Sequence, residues 1–313
     1  MVDSHARRVR HPVLVARHCA ESVEVTGHIT AEVAALTGLA AGTPVVGGGG
    51  DQAAGAVGSG IVESGIVSST VGTSGVVFAF ADTAAVDPGL RVHTFCHAVP
   101  GKWHTMGVVL SAGGSLRWLR DTFYPTGTSY DYIVDEAAKV GPGAEGLIFL
   151  PYLTGERTPH PDPDARGVFF GITLRHSRPH FARAVLEGVA YALNDTFEIF
   201  NDIGVEMTQV RASGGGAKSP IWRQIHADIT GRPHVTLNID EGPALGVALL
   251  AAVGTGAYAT VADACRAVIR TVDETAPDVD TKNTYRRYYN VYRNLYPALK
   301  DQFAAVNLGP VSD

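Results

Sequence analysis

The run Val45-Val46-Gly47-Gly48-Gly49-Gly50-Asp51-Gln52 sets one carboxylate among residues with almost no side-chain bulk. The two valines read as the end of a buried strand, and the small residues Ala53, Ala54 and Gly55 suit a closely packed helix. Four glycines let the backbone come near something bulky and polar. A carboxylate at that point can take the proton of a hydroxyl that attacks a phosphate. The alternative is a glycine-rich turn in which Asp51 only caps a helix.

Three further glycine turns lie beside apolar runs. Gly72-Thr73-Ser74-Gly75 reads as a hairpin tip, where backbone amides and the two hydroxyls can face phosphate oxygens. Ala112-Gly113-Gly114-Ser115 opens a helix. Gly214-Gly215-Gly216-Ala217-Lys218-Ser219 falls between a strand and a helix, where a helix N-terminus favours an anion. It has neither the spacing of a Walker A loop nor the third glycine of a dinucleotide fingerprint. Together the three turns can line one nucleotide cleft, with an ordinary hairpin turn as the alternative for the first.

The elements that must carry these turns follow from periodicity and caps. Thr30 opens a short helix closed by Gly38. A strand over 44–49 leads into Asp51 and a helix up to Gly60. Ile66–Val71 and Val76–Phe80 are strands flanking the first turn. Thr105–Leu110 is a third strand, Gly113–Phe123 a helix, and Leu147–Leu150 a fourth strand. Ser177 caps a long helix, supported by Pro179. Val210–Ser213 is a fifth strand, followed by helices over 219–229, 244–253 and 261–268. The tyrosines at 285, 288, 289, 292 and 296 recur at helical spacing and read as packing, and Pro297 is expected to kink or end that helix. From residue 65 the order β-β-β-α-β-α-β-α is that of an RNase H-like lobe, the unit used twice in actin-like ATPases.

Composition removes several function classes. Hydrophobic residues are 45% of the 313, enough for a sizeable core, and the net charge of −6 comes with no basic stripe. Nucleic acid is therefore not an expected partner. Cys19, Cys96 and Cys265 are far apart, which fits a reducing cytoplasm rather than zinc or disulfides. No apolar run approaches a membrane span, and no signal-peptide pattern opens the chain. Residues 1–12 read as disordered. His93, His97 and His104 are too irregularly spaced for a metal set and read as loop or edge residues. Gly155–Pro163 is dense in charge and proline and reads as a solvated loop, or as a stiff one holding Glu156 and Arg157. No Ser-His-Asp set has a nucleophile elbow.

Taken together, these motifs resemble the FGGY family of carbohydrate kinases. The strongest match is Gly167-Val168-Phe169-Phe170-Gly171-Ile172, then seven residues, then His180-Phe181-Ala182-Arg183-Ala184-Val185-Leu186-Glu187. The run from Phe149 to Pro163 resembles the xylulokinase branch. The resemblance spans roughly residues 13–305. It implies an α/β fold of two RNase H-like, actin-like ATPase lobes closing on ATP, Mg²⁺ and a sugar or polyol. It implies Asp51 as the base and sugar contact, with Gln52 beside it where many xylulokinases carry Asn. It implies Thr73 at the phosphates, Gly113 and Arg117 lining the nucleotide site, and Gly215, Gly216 and Ser219 around the adenosine. The implied reaction is ATP-dependent phosphorylation of a ketopentose, xylulose first. Ribulose, gluconate and glycerol-like acceptors are the alternatives, as is a non-catalytic module that binds a nucleotide or a partner.

The family's opening Asp-x-Gly-Thr hairpin and first signature are not present. Residues 1–60 are thus expected to be the tail end of a first lobe carrying Asp51, residues 61–305 the nucleotide-binding second lobe, and 306–313 a tail. The chain alone is then expected to be inactive. The segment before residue 61 is expected to be less well packed, and its unpaired strand edge favours self-association, with a homodimer as one outcome. No metal ligand is assigned.

Overall fold

The computed structural model describes residues 19–240 and 242–306; the expected disorder of residues 1–12 and the tail from 307 lie outside the described residues. The described chain opens with β1 (Val25–His28), α1 (Ala31–Thr37) and β2 (Pro44–Val46), then α2 (Asp51–Gly58). Thr30 caps α1 through its hydroxyl, and Gly38 closes it at φ +78°. β1 and β2 pair only with each other, antiparallel. The strand through Val45 is therefore not a buried one: Val45 is 42% exposed, although the later helix Gly242–Gly254 approaches the pair at Val46.

A seven-stranded sheet forms the body. Its strands are β3 (Gly65–Val71), β4 (Gly75–Ala81), β5 (His93–Cys96), β6 (Trp103–Val109), β9 (Met207–Ser213), β10 (His234–Leu237) and β11 (Thr271–Thr275), in the order β11-β10-β9-β3-β4-β6-β5. β3, β4 and β6 are antiparallel neighbours, while β9 runs parallel to β3 and β10 parallel to β9. This three-antiparallel, two-parallel core is the RNase H-like arrangement. The strand expected over 147–150 is real but misplaced. It is β7 (Ile148–Leu150), and it pairs with β8 (Val168–Phe170) in a separate two-stranded sheet. The strand beside β3 on the side away from β4 is β9.

The remaining elements are α3 (Gly113–Phe123), α4 (Tyr130–Ala138), α5 (Arg178–Asp202), the single turn α6 (Gly214–Ala217), α7 (Pro220–Thr230), α8 (Gly242–Gly254), α9 (Val261–Val268) and α10 (Lys282–Val306). No described helix is long and apolar enough to cross a membrane. α5 starts where Ser177 and the His180 ring exchange contacts at 3.1–3.2 Å. Its stripe of Val185, Val189, Leu193 and Phe197 is fully buried in the main core. Burying one such side chain contributes about 1.5–3 kcal/mol. Arg183 and Glu187, both inside the Gly167–Glu187 run, form a buried ion pair at 2.7 Å. Glu187 also accepts from the Gly143 amide at 2.9 Å, and Arg183 donates to the Tyr285 hydroxyl at 2.5 Å. The tyrosine stripe of α10 thereby packs on α5, as its spacing implied. Pro297 does not end α10, which continues to Val306.

Before residue 61 the chain divides in two. α1, β1 and β2 have no buried residue. α2 is bound tightly to α8, contrary to the expectation of loose packing. A Cβ on Gly58 would lie 1.7 Å from the Gly242 carbonyl oxygen, and one on Gly246 would lie 1.8 Å from that of Ala54. Val57 of α2 shares a cluster with Leu249, Leu250 and Cys265.

The 155–163 segment is solvated only in part: Arg157, Pro161 and Pro163 are exposed, while Gly155, Glu156 and Thr158 are buried. Thr158 is fully buried, accepts from Val108 N at 3.1 Å and donates to the Arg91 carbonyl at 3.0 Å. Glu156 Oε1 accepts from Leu110 N (2.9 Å) and Arg157 N (2.7 Å), while Oε2 is buried without a hydrogen-bond partner among the described residues. Burial pushes the Glu156 carboxyl up to about 8 and that of Asp195, which accepts from the Tyr289 hydroxyl at 2.6 Å, up to about 7.

Two predictions follow from this packing. Gly→Ala in an open helix gains up to about 1 kcal/mol. Gly246→Ala should instead cost about 1–3 kcal/mol through overpacking, seen as a lower urea midpoint; a gain would show that α2 and α8 are not in main-chain contact. The folded chain keeps the Glu156 proton to about pH 8, whereas an unfolded one releases it near 4.5. Folding thus takes up a proton in that window, and stability falls as pH rises through it. Glu156→Gln should raise Tm at pH 8 by about 2–4 °C for each kcal/mol recovered and flatten the decline. An equal loss of Tm at pH 5 and pH 8 would contradict a protonated Glu156.

Candidate active site

Two cavities flank the end of β3. The larger, about 670 Å³, is lined by Asp51, Gln52, Thr70, Ser213, Lys218 and Asp240 among others. The smaller, about 260 Å³, is lined by Thr73, Gly113, Arg117, Gly215, Gly216 and Ser219, together with Tyr130, Asp131 and Trp222. The structure thus brings all six residues expected at a nucleotide into one cavity, and both residues expected at the sugar into its neighbour.

Asp51 is the first residue of α2, one position past the N-cap, which is Gly50. It is exposed, and its Oδ1 accepts from the adjacent Gln52 amide at 2.8 Å. It is therefore not the cap that the turn alone allowed, and its carboxylate stands at the wall of an open cavity.

The glycine turns are built differently from the expectation. At the hairpin tip, the Gly72 carbonyl accepts from Gly113 N at 2.8 Å. The Thr73 carbonyl accepts from Ala112 N at 2.9 Å and Gly114 N at 3.0 Å. A Cβ on Gly113 would sit 2.5 Å from the Gly72 oxygen. The leading amides of α3 hold the hairpin and are not left to meet an anion. Thr73 itself is exposed and lines the cavity. In the third turn, Gly214 has φ +78°, and its Cβ would lie 2.6 Å from the Val71 oxygen; that of Gly216 would lie 2.7 Å from Val71 Cβ. Gly215 meets nothing nearer than 3.9 Å, so it is the position in this turn that leaves room for a ligand. Ser219 caps α7, its Oγ accepting from Trp222 N at 3.3 Å, which leaves its hydroxyl proton free to donate.

The charges sort by commitment. Arg223 is tied to Asp273 at 2.9 Å and to the Ala217 carbonyl at 2.6 Å. Arg117 is exposed and makes no hydrogen bond or ion pair among the described residues. Lys218 faces Asp240 at 3.4 Å, with both side chains largely exposed. Tyr130 and Asp131, on the unassigned helix α4, were missed by sequence reasoning. The signal was present: Ser129 caps α4 through Tyr132 N, and Ile133, Val134 and Ala137 are its buried face. The Arg120 guanidinium sits 4.3 Å over the Tyr130 ring and fixes it at the rim.

His97 does lie in the loop between β5 and β6, whereas His104 is in β6, inside the sheet. Both are buried against Phe78, and burial lowers both to about 4, so they are neutral core side chains. Among the described residues no group of three or more His, Cys, Asp or Glu could hold a metal. Mg²⁺ needs only one or two carboxylates when it arrives on phosphates. Asp51 and Asp240, lining the larger cavity, fit that donor chemistry and not a resident ion's.

Comparison with known proteins gives the family. Residues 67–255 match the C-terminal domain of the FGGY family of carbohydrate kinases. The chain is 39% identical over 290 residues to the xylulose kinase of Staphylococcus epidermidis, covering 93% of this chain and 57% of that protein. It is 41% identical over 281 residues to the xylulose kinase of Escherichia coli, covering 89% and 57%. The crystal structure of xylulose kinase from Rhodospirillum rubrum superposes with a TM-score of 0.87 at 35% identity, over 96% of this chain and 60% of that one. The chain therefore spans somewhat more than half the length of these relatives. The family domain covers most of the main sheet and both cavities border it, so this chain belongs to the FGGY family of carbohydrate kinases.

Proposed function

We propose that this chain carries the nucleotide-binding lobe and the acid–base carboxylate of an ATP-dependent sugar kinase whose acceptor is xylulose. The observation that carries the reading is the pair of adjoining cavities, one with Thr73, Arg117 and Gly215, the other with Asp51 and Gln52. Phosphoryl transfer asks the protein mainly for positioning and charge stabilisation, plus one group to accept the hydroxyl proton. Asp51 takes that proton, and Gln52 orients the sugar beside it. Thr73 donates to a phosphate oxygen, Arg117 neutralises phosphate charge, and Gly215, Gly216 and Ser219 border the nucleoside. Mg²⁺ carried by the nucleotide would spread the phosphate charge, with Asp240 as the carboxylate of that cavity left to hold it while Asp51 serves the hydroxyl. Residues up to 60 belong to one lobe in this reading and residues 61–305 to the other. The likeness to xylulose kinases supports the choice of sugar.

The test has two levels. Calorimetric titration should find ADP binding to the chain itself, weakened several-fold by Arg117→Ala and left unchanged by Asp51→Asn. Joining residues 19–306 to the remaining portion of the Escherichia coli relative gives a kinase whose turnover can be followed. There Asp51→Asn should lower kcat by at least about 100-fold while the KM for ATP stays within about twofold, the signature of a group that acts on the proton alone. Retained turnover would remove Asp51 from the mechanism. Preference for gluconate, ribulose or glycerol over xylulose would reassign the acceptor.

A further inference from the structure

We propose that Lys218 is the cation that meets the terminal phosphate of the nucleotide, with Asp240 holding it in readiness until the nucleotide arrives. The inference rests on the nucleotide reading above and adds a residue to it. Among the described residues, Lys218 is the one side chain that lines both cavities. With the nucleotide along Thr73 and Gly215 and the acceptor hydroxyl beside Asp51, the transferred group has to cross from one cavity to the other. Its path runs past the residue that borders both.

Charge supply points to the same residue. A nucleoside triphosphate brings several negative charges, and few fixed donors remain to meet them. The amides of Ala112, Gly113 and Gly114 hold the hairpin carbonyls. The Trp222 amide is capped by Ser219. Arg223 is locked onto Asp273. Of the cations lining the cavities, Arg117 and Lys218 remain uncommitted or weakly committed, and Arg117 reaches only the smaller cavity.

The pairing of Lys218 with Asp240 is of the weak kind. The two groups are 3.4 Å apart with side chains 73% and 83% exposed, so solvent screens the attraction and little is lost when it opens. A terminal phosphate offers more charge than one carboxylate. The ammonium is a compact point charge on a flexible stem, suited to a phosphoryl group whose charge is spread over three oxygens. It donates a hydrogen bond and breaks no bond.

The experiment is calorimetric titration of the 313-residue chain with ATP and with ADP, Mg²⁺ present, for wild type, Lys218→Ala, Lys218→Arg and Asp240→Asn. Loss of one charge-assisted hydrogen bond at an exposed site predicts about tenfold weaker ATP binding for Lys218→Ala, with ADP changed by less than about threefold. Lys218→Arg should keep most of the ATP affinity, and in a parallel titration without Mg²⁺, where Asp240 only competes for Lys218, Asp240→Asn should tighten ATP binding. Melting curves are expected to coincide, since both side chains are exposed. If Lys218→Ala lowers the midpoint, Lys218→Gln replaces it. Equal effects on ATP and ADP, or none on either, would overturn the role of Lys218 and leave the nucleotide reading standing. A wild-type chain that binds neither nucleotide overturns that reading and this inference with it.

Discussion

Main chain lies directly on main chain at three places around the two cavities, and the site depends on that closeness. The hairpin tip at Gly72 and Thr73 sits on the first turn of α3. The Gly214–Gly216 turn crosses the Val71 backbone, and α2 crosses α8 through Gly58 and Gly246. At each crossing a single Cβ would meet backbone inside van der Waals distance, so side-chain rearrangement cannot relieve it. The crossings bring four separate stretches of chain, around residues 51, 73, 113 and 215, to the same end of the sheet. The glycines at these crossings serve protein contacts first. Gly215 leaves its Cβ side open, as do Gly48 and Gly50 ahead of Asp51.

A second layer of polar contacts holds the far side of the sheet. The Gly167–Glu187 run that is most specific to the family contributes no side chain to either cavity. Its Arg183 and Glu187 instead join α5, the Gly143 loop and α10. Glu156, in the proline-rich run, takes the amides of Leu110 and Arg157 and so ties the end of β6 to the loop. A motif can therefore mark a family strongly while acting in packing and not in chemistry.

What could be read in advance follows from the range of each signal. Caps and periodicity are local, and they located α1, α3, α5, α7 and α9 to within a residue or two. The β3–β4 hairpin was equally clear from two apolar runs about Gly72–Gly75. β5, β10 and β11 were missed because they are four or five residues long, and β11 is exposed along most of its length. Ile148-Phe149-Leu150 is as apolar as any sheet strand, and nothing in its sequence says that β8 is its partner. Glycine type announced close approach at 72, 113 and 214–216 but not that the approaching group is backbone. Lys218 stood in plain view inside the third turn, yet a lysine beside glycines is ordinary until both cavities are seen to share it.

The parallel joint between β3 and β9 has a consequence for how the protein forms. Thr70 and Ser213 touch through their hydroxyls at 2.7 Å although 143 positions separate them in the chain. β3, β4 and β6 can close early through short connections, whereas β9 can dock only after α5 has been made and folded back. Closing so distant a pair imposes a high contact order, which slows folding. Until then β3 presents an open edge able to pair with other chains. Ser213 is followed at once by the Gly214–Gly216 turn, so the wall that turn contributes to the smaller cavity is among the last parts of the lobe to assemble.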